Sequence, residues 1–176
     1  MSEIKIVFTG SMGAGKSSAI ATISEIPVIN TDVRATDLET AQRKEKTTVA
    51  MDYGELTLED GQKLRLYGTP GQQRFDYMWK ILTKGALGLI ILIDNAGSDP
   101  IGDLARYLDN FHEFITETTA VIGITRTDIS NEPSIEAYYT FLQNRGIQLP
   151  LFPIDARSKE SVVMLIQALV AMLEFG

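Results

Sequence analysis

Residues 10–17 read GSMGAGKS, a glycine-rich run that fits the pattern GxxxxGK[ST], and the chemistry it suits is the holding of phosphate. Glycines let the backbone curl until its N–H groups point inward at an anion. A helix beginning at Lys16 adds its positive dipole end. The Lys16 side chain reaches the β- and γ-phosphates of a nucleoside triphosphate in such a loop, and the Ser17 hydroxyl is placed to ligate Mg²⁺. Gly10, Gly13, Ala14, Gly15, Lys16, Ser17 and Ser18 are therefore the candidate phosphate-binding residues. Three other short stretches carry groups that could do chemistry: Thr47–Thr48 before VAMDYG, Gly71–Gln72 in LYGTPGQQRF (66–75), and Asp128 at the end of GITRTD (123–128).

The elements that must position these groups follow from hydrophobic pattern and punctuation. IKIVFTG (4–10) predicts a strand running into the glycine loop, and 16–26 a helix that stops before Pro27. Residues 28–47 are mostly polar and read as a long loop, of the kind that is functional or disordered. The stretches 49–58 and 62–68, joined by EDG (59–61), read as a hairpin. A helix is expected at 74–85. ALGLIILID (86–94) has the unbroken apolarity of a strand covered on both faces. Beyond it come a helix near 101–117, a strand at 119–125, a helix at 134–144, a short strand at 151–155 and a last amphipathic helix at 158–173. Alternating strands and helices imply a mainly parallel six-stranded sheet in an α/β three-layer arrangement. Ligands of such sheets sit at the carboxyl ends of the strands, which is where the phosphate loop and Asp128 fall. At 176 residues the chain is expected to form one domain, 1–176.

Taken in order and spacing, GSMGAGKS, TTVAMDYG (47–54), YGTPGQ (67–72), GITRTD and DAR (155–157) resemble the motifs of Ras-like small GTPases over essentially the whole chain. The resemblance is closest to the bacterial group related to the gliding-motility polarity switch and the conservon GTPases. It implies a P-loop NTPase of Ras-like fold that binds GTP and GDP with Mg²⁺ and hydrolyses GTP. By that resemblance Thr48, with Thr47 as the near alternative, ligates Mg²⁺ and orders the loop before it when GTP is bound. Gly71 presents its N–H to the γ-phosphate, and Gln72 orients the attacking water. Gln72, Lys16 and Thr48 are then the catalytic set. Asp128 accepts two hydrogen bonds from guanine, with Thr125 and Arg126 beside it, while the Ala156 N–H faces guanine O6 next to Arg157.

Five positions depart from the family pattern. Gly68 occupies the place of the aspartate that holds a Mg²⁺-bound water. Either Ser17, Thr48, phosphate and water suffice for the ion, or Asp52, on the neighbouring strand of the hairpin, supplies the carboxylate. That gives a candidate metal set of Ser17, Thr48 and Asp52. Met12 is bulky for its loop position. Thr125 and Arg126 replace asparagine and lysine, and Asp155 replaces a serine.

Composition narrows the partners. Sixteen Lys and Arg against twenty-three Asp and Glu give a net charge of −7, which disfavours nucleic acid or a polybasic membrane patch. With no cysteine, disulfides, thiolate catalysis, prenylation and palmitoylation are excluded. The opening residues predict neither a signal peptide nor a myristoyl anchor, so a soluble cytoplasmic domain with no direct membrane anchor is expected. Free Ras-like enzymes are slow, and a catalytic arginine adds roughly 10³–10⁵ in rate. Arg34, Arg43 and Arg74 are the internal candidates, and the resemblance implies a roadblock/longin-like regulator or another GTPase-activating partner. Two other readings stay open at this level: a pseudo-GTPase that binds guanine nucleotide with little turnover, and an ATP-dependent small-molecule kinase or ATPase.

Overall fold

The computed structural model describes residues 4–11, 13–34, 48–69 and 83–175; for 30–34, 48–51 and 175 it describes the backbone alone. Seven strands form one sheet: β1 (Ile4–Gly10), β2 (Ile29–Arg34), β3 (Thr48–Thr57), β4 (Lys63–Gly68), β5 (Gly88–Asp94), β6 (Ala120–Thr125) and β7 (Leu151–Pro153). Their order is β2-β3-β4-β1-β5-β6-β7. From β4 to β7 every pairing is parallel, whereas β3 runs antiparallel to β4 and β2 antiparallel to β3. Five helices are described: α1 (Lys16–Ile23), α2 (Pro100–Asn110), α3 (His112–Glu117), α4 (Ile135–Asn144) and α5 (Lys159–Phe175).

Strand periodicity explains the layers. Along β1 the side chains of Ile6 and Phe8 point to one face and Val7 to the other. The first face is closed by Ala19, Ile20 and Ile23 of α1 and by Val162, Leu165, Ile166 and Leu169 of α5. The second is closed by Leu104, Tyr107 and Leu108 of α2 and by Tyr138 and Leu142 of α4. β5 contributes Ile90 and Leu92 to one core and Leu89, Ile91 and Ile93 to the other. It must therefore be apolar from Leu89 to Ile93, as a strand buried on both faces requires. The α/β three-layer expectation holds.

Three sequence expectations are corrected. The sheet has seven strands rather than six, because part of the expected loop at 28–47 pairs as β2 at the sheet edge. INTDVR lacks a sustained apolar alternation, since an edge strand can be held by backbone hydrogen bonds without a continuous hydrophobic face. The expected helix near 101–117 is two helices, α2 and α3, meeting at Phe111, whose backbone (φ −103°, ψ 15°) leaves the helical well. The first helix ends at Ile23 rather than 26, because Ser24 is extended and its hydroxyl donates to the Ile26 carbonyl at 2.7 Å. The sequence-predicted helix at 74–85 lies almost wholly outside the described residues. Among the described residues no helix is long and apolar enough to cross a membrane.

Candidate functional site

The loop between β1 and α1 is shaped by its glycines. Gly13 (φ 83°) and Gly15 (φ 97°) lie in the left-handed region, where a Cβ is strained. A Cβ on Gly15 would also press on the Ala156 methyl at 2.9 Å. The Ala14 N–H closes the turn onto the Ser11 carbonyl at 3.1 Å. Gly15 is the N-cap of α1 and offers no side-chain acceptor to the first amides of the helix, so they are left to a ligand or solvent. Lys16 is only 9% exposed, and its ammonium donates to the carbonyls of Gly10 and Ser11, the second at 2.9 Å. Burial lowers its pKa to about 8, and the Asp52 charge partly opposes that shift. A buried cation beside an uncapped helix start, in a cradle that side chains would fill, fits a phosphate group.

Ser17 is exposed at the mouth of this loop, and its hydroxyl donates to Asp52 Oδ2. Asp52 reaches it because β3 crosses beside α1: a Cβ on Gly54 would strike Ile20 and Ser24. The Ser24 hydroxyl also accepts from the Glu55 N–H at 3.1 Å. Ser17 and Asp52 together offer hard oxygen donors of the kind Mg²⁺ prefers. Thr48 is not gathered with them. It stands four residues further along β3, opposite Arg34, which is about 13 Å of extended strand away from Asp52. Met12, Thr47, Pro70, Gly71, Gln72, Arg43 and Arg74 lie outside the described residues, so the proposed water-orienting glutamine has no described position.

The other predicted ligands line a single cavity of about 640 Å³: Gly13, Ala14, Gly15 and Ser18 on the loop side, Thr125, Arg126 and Asp128 after β6, and Ala156 and Arg157 after β7. Thr125, buried at the end of β6, directs its hydroxyl to the carbonyls of Ala14 (3.0 Å) and Ile93 (3.2 Å). One proton serves both acceptors, and it pins the phosphate loop to the ends of β5 and β6. Arg126 is in the left-handed region (φ 59°), and its guanidinium lies 3.7 Å from Asp94 at the end of β5. Asp128 is exposed in the following turn.

Asp155 does not leave a bare negative charge in the pocket. Its carboxylate accepts from the Arg157 backbone N–H (2.9 Å), from Nε (3.0 Å) and from Nη2 (3.2 Å). Those hydrogen bonds hold Asp155 below the usual carboxylate range. The same ion pair, with a smaller contribution from Asp128, raises Arg157. Thr22 on α1 donates to the Ala156 carbonyl at 2.8 Å, keying this turn to the phosphate loop.

Sequence reasoning missed Asn95 and Tyr138. Asn95, 1% exposed, donates from Nδ2 to the carbonyls of Ser130 (2.7 Å) and Pro133 (3.1 Å). Its Oδ1 accepts from the Tyr138 hydroxyl. This buried network braces the 126–134 loop that carries Asp128. An asparagine just past the carboxyl end of a central strand was a usable signal; Tyr138, inside an amphipathic helix, offered none.

Comparison with known proteins agrees with this geometry. The profile of the family described as "Conserved hypothetical ATP binding protein" matches residues 8–174. The chain is 32% identical over 92 residues to the uncharacterized protein MJ1339 of Methanocaldococcus jannaschii, covering 52% of this chain and 51% of that protein. It is 23% identical to Ras-related protein Rab-1D of Dictyostelium discoideum over 164 residues, covering 90% of this chain and 73% of that one. It is 26% identical to human Ras-related protein Rab-12 over 123 residues, covering 68% and 45%. Thus the chain spans about half the length of the first and third of these relatives and nearly three quarters of the second. Together with the phosphate loop, the three-layer sheet and the cavity, the match over almost the whole length places the chain in the conserved hypothetical ATP binding protein family, as a nucleotide-binding P-loop protein with distant likeness to Ras-related GTPases.

Proposed function

We propose that this protein is a guanine-nucleotide switch that binds GTP and GDP with Mg²⁺ and slowly hydrolyses GTP to GDP and phosphate. The observation that carries the reading is the single cavity with the phosphate loop on one side and Asp128, Ala156 and Arg157 on the other. Asp128 accepts from guanine N1–H and the exocyclic amine, a donor pair that adenine lacks. A site built on such bonds discriminates strongly, because the wrong base leaves a polar group unpaired. The Ala156 N–H, for which no protein acceptor is found among the described residues, faces guanine O6.

At the other end Lys16 holds the β- and γ-phosphates, and Ser17 and Thr48 ligate the ion. Bound Mg²⁺ neutralises charge on the phosphate oxygens. Gly71 presents its N–H to the γ-phosphate and Gln72 orients the attacking water. For Thr48 to join Ser17, the outer part of β3 must leave its ladder with β2, which is paired as far as Arg34–Thr48. Such a segment, held one way or the other by the γ-phosphate, is the two-state element a switch needs. Turnover by the isolated chain is expected below about one per minute, rising with a roadblock/longin-like or other activating partner.

A second reading, an ATP-binding protein, is favoured by the family's description. Titration of nucleotide-free protein with GTP, GDP and ATP, in Mg²⁺ and in chelator, separates the two. Tight guanine binding strengthened by Mg²⁺ is the expected result. Preference for ATP overturns the role given to Asp128, and guanine binding indifferent to Mg²⁺ leaves only a non-catalytic binding module.

A further inference from the structure

Asp52 and Gly68 face each other directly across the β3–β4 ladder. A Cβ built on Gly68 would lie 3.5 Å from the Asp52 Cβ and 3.7 Å from its Oδ2. The Asp52 side chain is therefore in van der Waals contact with the point from which a side chain at 68 would start. That same Oδ2 accepts the Ser17 hydroxyl, and its charge is felt at the neighbouring Lys16 ammonium. One carboxylate thus reaches the phosphate loop from β3, and the adjoining position on β4 has been emptied of any side chain.

We propose that Asp52 stands in for a carboxylate on β4: the group that completes the divalent-ion shell is carried by β3, directly across the ladder from Gly68. This rests on the nucleotide–Mg²⁺ reading above. A serine hydroxyl can donate its proton to Asp52 while turning a lone pair to the ion, so the observed hydrogen bond orients Ser17 for ligation rather than competing with it. The second carboxylate oxygen accepts from an ion-bound water, of which Mg²⁺ keeps several. Retaining Asp52 beside an aspartate at 68 would set two carboxylates against each other, and both would resist ionising. The nearest neighbour of a Cβ at 68 is the Ile20 δ-methyl, at 3.1 Å, the movable end of a side chain.

The test uses Mn²⁺ as the probe, read by electron paramagnetic resonance on the GDP complex, with GDP affinity in chelator measured separately. Asp52→Asn and Asp52→Gly are each expected to weaken Mn²⁺ binding by about 10–100-fold, with a smaller change in chelator-condition GDP affinity. The double variant D52G/G68D is expected to recover Mn²⁺ affinity to within about threefold of the parent, since it restores one carboxylate between the same two strands. Parent-like Mn²⁺ affinity in both single variants overturns the proposal. Loss in the single variants without recovery in the double variant overturns the stand-in role and reduces Asp52 to a partner of Ser17. If the parent GDP complex takes up no Mn²⁺ at all, the nucleotide–Mg²⁺ reading itself falls, and the proposal with it.

Discussion

At the phosphate end of the cavity the backbone does the holding: left-handed glycines at 13 and 15 and an uncapped helix start, with Lys16 anchored to two main-chain carbonyls. At the base end side chains do it. Thr125 ties the loop to β5 and β6, Asn95 and Tyr138 brace the Asp128 loop, and Asp155 and Arg157 neutralise each other. The backbone end keeps its motif nearly intact, while the side-chain end departs from the Ras-like pattern at three positions. The difference has a physical cause. A curled main chain has few substitutes, because only glycine tolerates those dihedrals without strain. A hydrogen bond made by one side chain can instead be taken over by a neighbour that reaches the same space. On the proposal above, Asp52 extends that lesson to the ion site.

The comparison can be broken from either end. Lys16→Ala should weaken GTP and ATP binding alike, by roughly 10²-fold, the loss expected for charged hydrogen bonds worth up to about 3 kcal/mol. An effect confined to one base would deny that the phosphate end is blind to the base. Asp128→Asn should reverse part of the base selectivity, costing GTP about tenfold or more while ATP affinity stays level. Competition between the two nucleotides on the same variant reads this directly. Tyr138→Phe leaves the buried Asn95 Oδ1 without its donor, so denaturant unfolding should show a loss of about 1–3 kcal/mol. The ratio of GTP to ATP affinity should fall a few-fold in that variant, and an unchanged ratio would limit the network to stability. Asp155→Asn breaks an exposed ion pair, and nucleotide affinity should change by less than about threefold. A larger loss in titration would mean that the 155–157 turn depends on that charge for its shape.

Much of this was legible without a fold. GSMGAGKS announces a phosphate loop because the chemistry there is local, with glycine dihedrals and one lysine all within eight residues of chain. ALGLIILID announces a central strand because burial on both faces leaves no polar position before its last residue, Asp94. β2 was not legible, since INTDVR is held at the edge through main-chain bonds that any sequence can make. Nor was the break at Phe111, where the helical pattern of apolar residues continues on both sides.

The sequence by itself determined the class of fold and the phosphate-loop motif, and it supplied the candidates for reading a base, because each depends on neighbours a few positions apart. Only the tertiary structure decided which distant groups meet. It set Thr125 against the Ala14 carbonyl, 111 residues away, and Asn95 against the Asp128 loop. It also brought Asp52 against Ser17, 35 residues apart, while leaving Thr48 further along the same strand. Those meetings depend on strand register and on how closely β3 lies on α1, where a single β-carbon on Gly54 would force them apart. Register is a property of pairs of strands, and no one segment of the chain contains it.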